Sequence, residues 1–396
     1  MVPNGWDYST LESLCEKDAP ITYGVLKPGD YVADGVPLLQ IKDLLLNLSD
    51  LESVHRISKE LDEQYRRSKI KTNDILISLV GTIGRIAIVP KQLDNANIHR
   101  NLGRIRAKNY EFLYYYLQSD IAKNRFGISS SGSSQSALNL TVLRALKVPV
   151  PPLPEQQKIA NILSTWDKAI STTERLIENS TQQKKALMQQ LLTGKKRLLD
   201  ESRKRFESEW KQVIFGEVAK LSSKKYNPLK ANQCLPCIEL EHLDQASGRI
   251  IGSANASELA SIKNHFEVGS VLFGKLRPYL RKYARPDFEG VCSTEIWVFK
   301  TTSKLLDEYL FHFVQTDKFV SEANKSSGSK MPRADWGVIS ELVIKIPNLK
   351  EQQKIATVLT TADKEIELLE QQLADLQQEK KALMQVLLTG KKRVVV

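Results

Sequence analysis

Stepping alternately four and three residues from Ile159 lands on Ile159, Leu163, Trp166, Ile170, Thr173, Ile177, Ser180, Lys184, Leu187 and Leu191. The same walk from Ile355 meets Ile355, Leu359, Ala362, Ile366, Leu369, Leu373, Leu376, Lys380, Leu383 and Leu387. A 3.5-residue apolar period kept up over about five heptads predicts a coiled-coil helix in each stretch. Each helix would hold about 40 residues and span on the order of 60 Å at 1.5 Å per residue. Their ends are marked as well. Pro154 stands where a first turn accepts proline, Glu155 and Glu351 suit the positive end of a helix, and Gly194 and Gly390, followed by Lys and Arg, mark the stops. Lys184 and Lys380 interrupt the seam, where a lysine sets register or snorkels to the surface, and both are read as structural.

The two stretches are copies. Residues 153–197 and 349–393 align without a gap, at one offset that takes Glu155 to Glu351. They share the words EQQKIA (155–160 and 351–356), DK (167–168 and 363–364), KKALMQ (184–189 and 380–385) and LLTGKKR (191–197 and 387–393). A repeat whose period is about half the chain describes a duplicated protein rather than a solenoid. Outside these stretches the likeness is weaker but follows nearly the same offset: residues 73–76 face 269–272, Gln118-Ser119-Asp120 faces Gln315-Thr316-Asp317, and Ser131-Gly132-Ser133 faces Ser327-Gly328-Ser329. The chain therefore divides into a variable module (1–152), a shared helix (153–197), a second variable module (198–347) and a second shared helix (348–393). Duplicated halves tend to pack about a pseudo-two-fold axis. An axis perpendicular to the helices makes them antiparallel and sets the variable modules at opposite ends of a rod.

Both variable modules read as mixed α/β, so the fold class is α+β: two such domains joined by two long helices. Residues 75–79, 85–89 and 146–150 are strand-like in the first module, and 270–273, 296–299 and 342–346 in the second. Residues 111–123 and 307–323 carry helical periodicity. Two kinds of loop stand out. Val80-Gly81-Thr82-Ile83-Gly84-Arg85 follows a strand, and its counterpart over 273–279 holds Lys275, Arg277 and Tyr279. Glycine permits close backbone approach, while Arg or Lys neutralises phosphate or reads guanine edges. A lone GxxG is usually only a turn; a cation at a matching place in both repeats strengthens the binding reading. The second kind is rich in serine and glycine: 129–136, with Ser133 and Gln135, against 326–333, with Lys330 and Arg333. These loops fit phosphate and base contact or a flexible linker. Further basic residues, among them Arg66, Arg67, His99, Arg100, Arg281 and Arg285, read equally well as solvated charge.

Composition narrows the partners. A net charge of +11 over 396 residues, with a basic excess in both halves, favours a polyanion. Four cysteines make no secreted disulfide framework in a chain of this length, and the Cys234 and Cys237 pair lacks a second ligand pair, so no metal is expected. No signal peptide and no long apolar run are visible, which points to the cytoplasm without a membrane partner. Catalytic signatures are missing too. The chain has no Asn-Pro-Pro-aromatic methylase loop and no GxxxxGK[ST], and Trp297 stands where a PD-ExK nuclease would place its lysine. A non-catalytic binder is expected. The alternatives are a single-chain nuclease or methylase with an unrecognised site and a coiled-coil adaptor that does not bind DNA.

The proline-rich lead-ins to EQQKIA, the long helices and their LLTGK ends strongly resemble the specificity subunit of type I restriction-modification enzymes, and VGTIGR and GKLRPYL resemble elements of that family's target recognition domains. The resemblance covers essentially the whole chain. It departs at Lys350, where the first copy has Pro154. It implies that each variable module reads one half of a split, asymmetric site in double-stranded DNA. It also implies that the helices form an antiparallel coiled coil that spaces the modules and docks two methyltransferase subunits. S-adenosylmethionine would sit on those subunits, and ATP and Mg would belong to restriction and translocase subunits of the assembled complex, with no cofactor on this chain.

Overall fold

The computed structural model describes residues 3–46, 48, 50–126, 137–230, 234–256, 261–325 and 331–396. It divides into two units, Met1–Glu174 with Gln371–Val396, and Arg175–Glu370. The long helices run Leu153–Leu191 and Leu349–Leu387, 39 residues each, and each contributes its first half to one unit and its second half to the other. Gly194 and Gly390 lie beyond them at φ +72° and +68°, the left-handed conformation that ends a helix. Lys350 does not disturb the start of the second helix. Asn348 caps it instead, its Oδ1 accepting from the Glu351 N–H at 3.0 Å.

In the first unit the module runs through β1 (Asp7–Thr10), β2 (Thr22–Tyr23), β3 (Val36–Leu39), β4 (His55–Ile57), β5 (Ile75–Ser78), β6 (Ile86–Ile88), β7 (Asn97–Ile98), β8 (Leu102–Ile105) and β9 (Lys147–Val150). β1 and β9 pair antiparallel and so close the module at its entry and exit. Between them lie a sheet of order β2-β8-β5-β6 and a smaller one of order β4-β3-β7, in which β3 and β7 are parallel. β5 is buried at every position, and Ile75 and Ile77 join a core with Tyr116, Leu117, Ile159, Leu163, Leu387 and Leu388.

The second unit repeats this plan with β10 (Lys211–Ile214), β11 (Ala219–Leu221), β12 (Lys225–Tyr226), β13 (Pro236–Ile238), β14 (Ala254–Asn255), β15 (Lys263–Phe266), β16 (Val271–Gly274), β17 (Tyr283–Ala284), β18 (Gly290–Cys292), β19 (Ile296–Thr301) and β20 (Val343–Ile346). β10 and β20 close the module, β11-β19-β16-β17 matches the larger sheet, and β13 again runs parallel to a later strand, β18. β12 and β15 extend the smaller sheet. Here the core is aromatic: Phe215 contacts the rings of Phe299, Phe313, Phe319 and Trp336.

The shared words fold into two clasps, built from the same residue pairs in each unit. In the first unit Arg393 donates from Nε and Nη2 to Glu155 at 2.6 and 2.8 Å. In the second, Arg197 does the same to Glu351 at 2.6 and 2.7 Å. Each guanidinium also lies 5.9 Å from a tryptophan ring, Trp6 or Trp210. Further along, Lys380 pairs with Asp167 and Lys184 with Asp363. The end of one helix thus meets the start of the other, which makes the pair antiparallel within each unit. Both seam lysines are register pins rather than snorkelling side chains, with 15% and 14% of their side chains exposed.

The apolar seam is unevenly covered. Ile159, Leu163, Leu191, Ile355, Leu359, Ile366 and Leu387 are buried, whereas Trp166, Ile170, Ile177, Leu187, Leu369, Leu373, Leu376 and Leu383 are half-buried. Two helices alone leave their seam partly wet, and the dry positions, Ile366 apart, belong to a module core.

The expected helix over 111–123 is two, Tyr110–Gln118 and Asp120–Arg125, and that over 307–323 is also two, Asp307–Phe313 and Asp317–Asn324. Ser119 and Thr316 are N-caps, their hydroxyls accepting from the Ala122 and Phe319 N–H groups, and a cap starts a new helix rather than continuing the old one. Cys237 and Cys292 are buried while Cys234 is exposed, and no cluster of metal-ligating side chains occurs among the described residues. Among the same residues no helix is long and apolar enough to cross a membrane.

Candidate nucleic-acid interface

The hairpin loop after β5 and its counterpart after β16 are built on one backbone plan. Leu79 N–H donates to the Asn101 carbonyl at 2.8 Å, and Lys275 N–H donates to the Glu295 carbonyl at 2.9 Å. The chain returning from the serine-rich segment then lays itself against each loop. Leu138 N–H donates to Leu79 and Ala334 N–H to Lys275, while Ala137 bridges Val80 and Arg333 bridges Leu276. The two loop types read separately from the sequence are therefore neighbours in both units. Ser133, Gln135 and Lys330 lie outside the described residues.

This register corrects one expected correspondence. The expected counterpart of residues 80–85, residues 273–279, starts too early: Gly274 is the buried last residue of β16 and stands where Ser78 stands. The residue in Gly81's place is Arg277: Gly81 has φ +73° and Arg277 φ +52°. Gly84, at φ +78°, is matched by Arg281 at φ +51°, since Ser78 N–H bonds the Arg85 carbonyl as Gly274 N–H bonds that of Lys282. The fold keeps a left-handed backbone at both positions. A non-glycine residue there costs roughly 1–2 kcal/mol, so the second module holds two arginines in strained conformations.

The exposed surface of the first loop is Gly81, Thr82 and Arg85. Its shape is set from within: Arg85 N–H donates to Ser78 Oγ at 2.9 Å and Gly84 N–H to the Ser78 carbonyl at 3.0 Å. No partner among the described residues engages the Arg85 guanidinium. Leu79, bonded to the Asn101 carbonyl, connects the loop to the turn at His99 and Arg100, where burial, followed by the Arg100 charge, holds the His99 imidazole below its ordinary range. In the second loop Arg277 and Tyr279 are exposed and Lys275 is half-buried. Arg277 has no side-chain partner among the described residues, whereas Arg333 is paired with Glu295 at 3.0 Å. Each loop thus offers an uncommitted guanidinium on a pinned backbone, an arrangement suited to phosphate or to a guanine edge. The role of Arg281 was hidden in the sequence, where it reads as ordinary solvated charge. The repeat offset pairs it with Arg85, whereas the fold puts it in the place of Gly84.

Comparison with known proteins agrees with this duplication. The profile of the type I restriction modification DNA specificity domain matches residues 3–180 and 207–378. The EcoBI specificity subunit of Escherichia coli is 34% identical over 197 residues, 48% of this chain and 41% of that relative. The putative MjaX specificity subunit of Methanocaldococcus jannaschii is 25% identical over 99% of this chain and 95% of its own length. Among solved structures, the S subunit from M. genitalium superposes with a TM-score of 0.57 at 16% identity, over 98% of this chain and 97% of that one. A chain from a study of type I R-M complex assembly gives 0.60 at 18% identity, over 99% and 100%. With both modules matched by the profile, the chain belongs to the type I restriction-modification DNA specificity family.

Proposed function

We propose that this chain is the non-catalytic DNA-recognition subunit of a type I restriction-modification enzyme. Each variable module reads one half of a bipartite, asymmetric site through the loop after β5 or after β16. The paired helices set the spacer and dock two methyltransferase subunits, which carry S-adenosylmethionine, and restriction subunits using ATP and Mg join through that complex. The observation that carries the reading is the duplicated loop. On otherwise divergent sequence, each unit pins the same backbone turn and leaves one arginine uncommitted, Arg85 in one and Arg277 in the other.

Methylome sequencing of cells that carry this chain with a partner methyltransferase tests it. A two-part methylated motif with a fixed spacer is expected. Arg85→Ala should relax or weaken one part only, and Arg277→Ala the other. Methylation by the chain alone, or a single continuous motif, would favour an enzyme with an unrecognised site.

A further inference from the structure

The two recognition loops are built alike but held differently. The first is tied to its own strand through Ser78, and no bond among the described residues joins residues 81–85 to Gln118, Ser119 or Asp120. The second is tied outward. Arg281 donates from Nη1 to the Gln315 carbonyl at 3.0 Å and pairs through Nη2 with Asp317, at the start of the helix Asp317–Asn324. Its own carbonyl accepts from the Ala246 N–H at 3.0 Å. Gln315 in turn faces the helix seam: its Oε1 lies 3.4 Å from Lys184 Nζ, the lysine paired with Asp363. A continuous polar path runs from the loop, through Arg281 and Gln315, to the pin between the long helices.

The backbone shows what this arrangement costs. Arg281 sits at φ +51°, where the first module has glycine. Glycine would fill the position without strain, so the arginine is retained against a local penalty, and what it adds is the fork to Gln315 and Asp317. A planar guanidinium that bonds a carbonyl and a carboxylate at once is held against the start of the helix Asp317–Asn324, with 32% of its side chain exposed.

We propose that Arg281 is a positioning residue that presets the second recognition loop, so that the half-site read by residues 198–347 meets a surface already ordered by contacts outside the loop. The proposal rests on the DNA-recognition reading above. Ordering the loop before binding removes an entropic cost that would otherwise oppose the specific complex. Non-specific binding, which depends on phosphate charge, gains little from it.

The test uses the full chain assembled with its methyltransferase partner. The probes are the DNA site that its methylome defines and a duplex in which the second half-site is scrambled, each titrated across a range of salt. The variants are Arg281→Gly, which keeps the left-handed backbone, Arg281→Lys, which keeps the charge, and Asp317→Asn, which leaves Arg281 in place. Arg281→Gly and Arg281→Lys should each weaken cognate binding about tenfold, the scale of one lost charge-assisted hydrogen bond, while the scrambled duplex and the salt slope stay as in the wild type. Asp317→Asn should repeat part of the loss, and combining it with Arg281→Gly should add nothing. Rescue by lysine, with both duplexes weakened by glycine and the salt slope reduced by about 0.9, would show a phosphate contact instead. Wild-type affinity in all three variants would overturn the positioning role and leave the recognition reading intact. A wild-type complex unable to tell the two duplexes apart would overturn both.

Discussion

Replacing Arg197 by Ala leaves the Glu351 carboxylate, which has no exposed surface, without the fork that bonds both its oxygens. Breaking a buried pair from one side costs about 3–5 kcal/mol, because the remaining charge stays desolvated. Arg197 keeps 22% of its side chain exposed, which moves the expectation to the lower end, about 3 kcal/mol. The duplicated clasp supplies an internal control. Glu155 holds a second partner, the Trp6 indole N–H at 3.0 Å, whereas the Trp210 Nε1 makes no bond to Glu351. Arg393→Ala therefore leaves its carboxylate partly satisfied and should cost clearly less. Two units in one chain make a single melting curve ambiguous. Native-state hydrogen exchange, read separately over residues 192–210 and 388–394, resolves each clasp. A cycle with Glu351→Gln should recover most of the Arg197→Ala loss, since a neutral amide is cheaper to leave buried. Equal costs at the two clasps, or a loss under about 1 kcal/mol at Glu351, would refute the reasoning.

His312 is fully buried on Asp307–Phe313, and burial, followed by the Lys184 charge, pushes its imidazole down to about 3. The unfolded chain then binds the extra proton, so the stability of the second unit is full above about pH 6.5 and falls with acidification at up to about 1.4 kcal/mol per unit. Asp363, raised mainly by burial, works in the opposite sense near the carboxylate range. His312→Gln should flatten the fall between pH 6.5 and 5 in denaturant titrations, and an unchanged slope would remove His312 as its cause. Arg277→Gly should leave stability equal or raise it by about 1 kcal/mol, because the left-handed strain is relieved, while specific DNA affinity falls; a variant that binds normally would remove Arg277 from the interface. Ser119→Ala and Thr316→Ala should each cost about 1 kcal/mol as lost N-caps, measurable as faster exchange over 120–125 and 317–324.

The duplication, the long helices and their ends were legible in the sequence, because a seam period and a left-handed glycine stop are local signals. The pairing of the shared words was not. That Asp167 meets Lys380 and Glu155 meets Arg393 requires the antiparallel register, which no single segment encodes. The loops were found by their glycines and cations, but taking 273–279 as the counterpart of 80–85 started the second loop too early, while the fold preserves φ and accepts Arg277 in glycine's place. The smaller sheets were unreadable. β7 and β14 are two residues long, and β3 and β13 take their partners from strands far along the chain.

The central claim is that each module reads one half of the target on its own. Exchanging residues 1–152 for the corresponding module of another family member, followed by methylome sequencing with the same methyltransferase, tests it most directly. The account predicts that one half of the methylated motif changes while the other half and the spacer stay as they were. A change in both halves would contradict it.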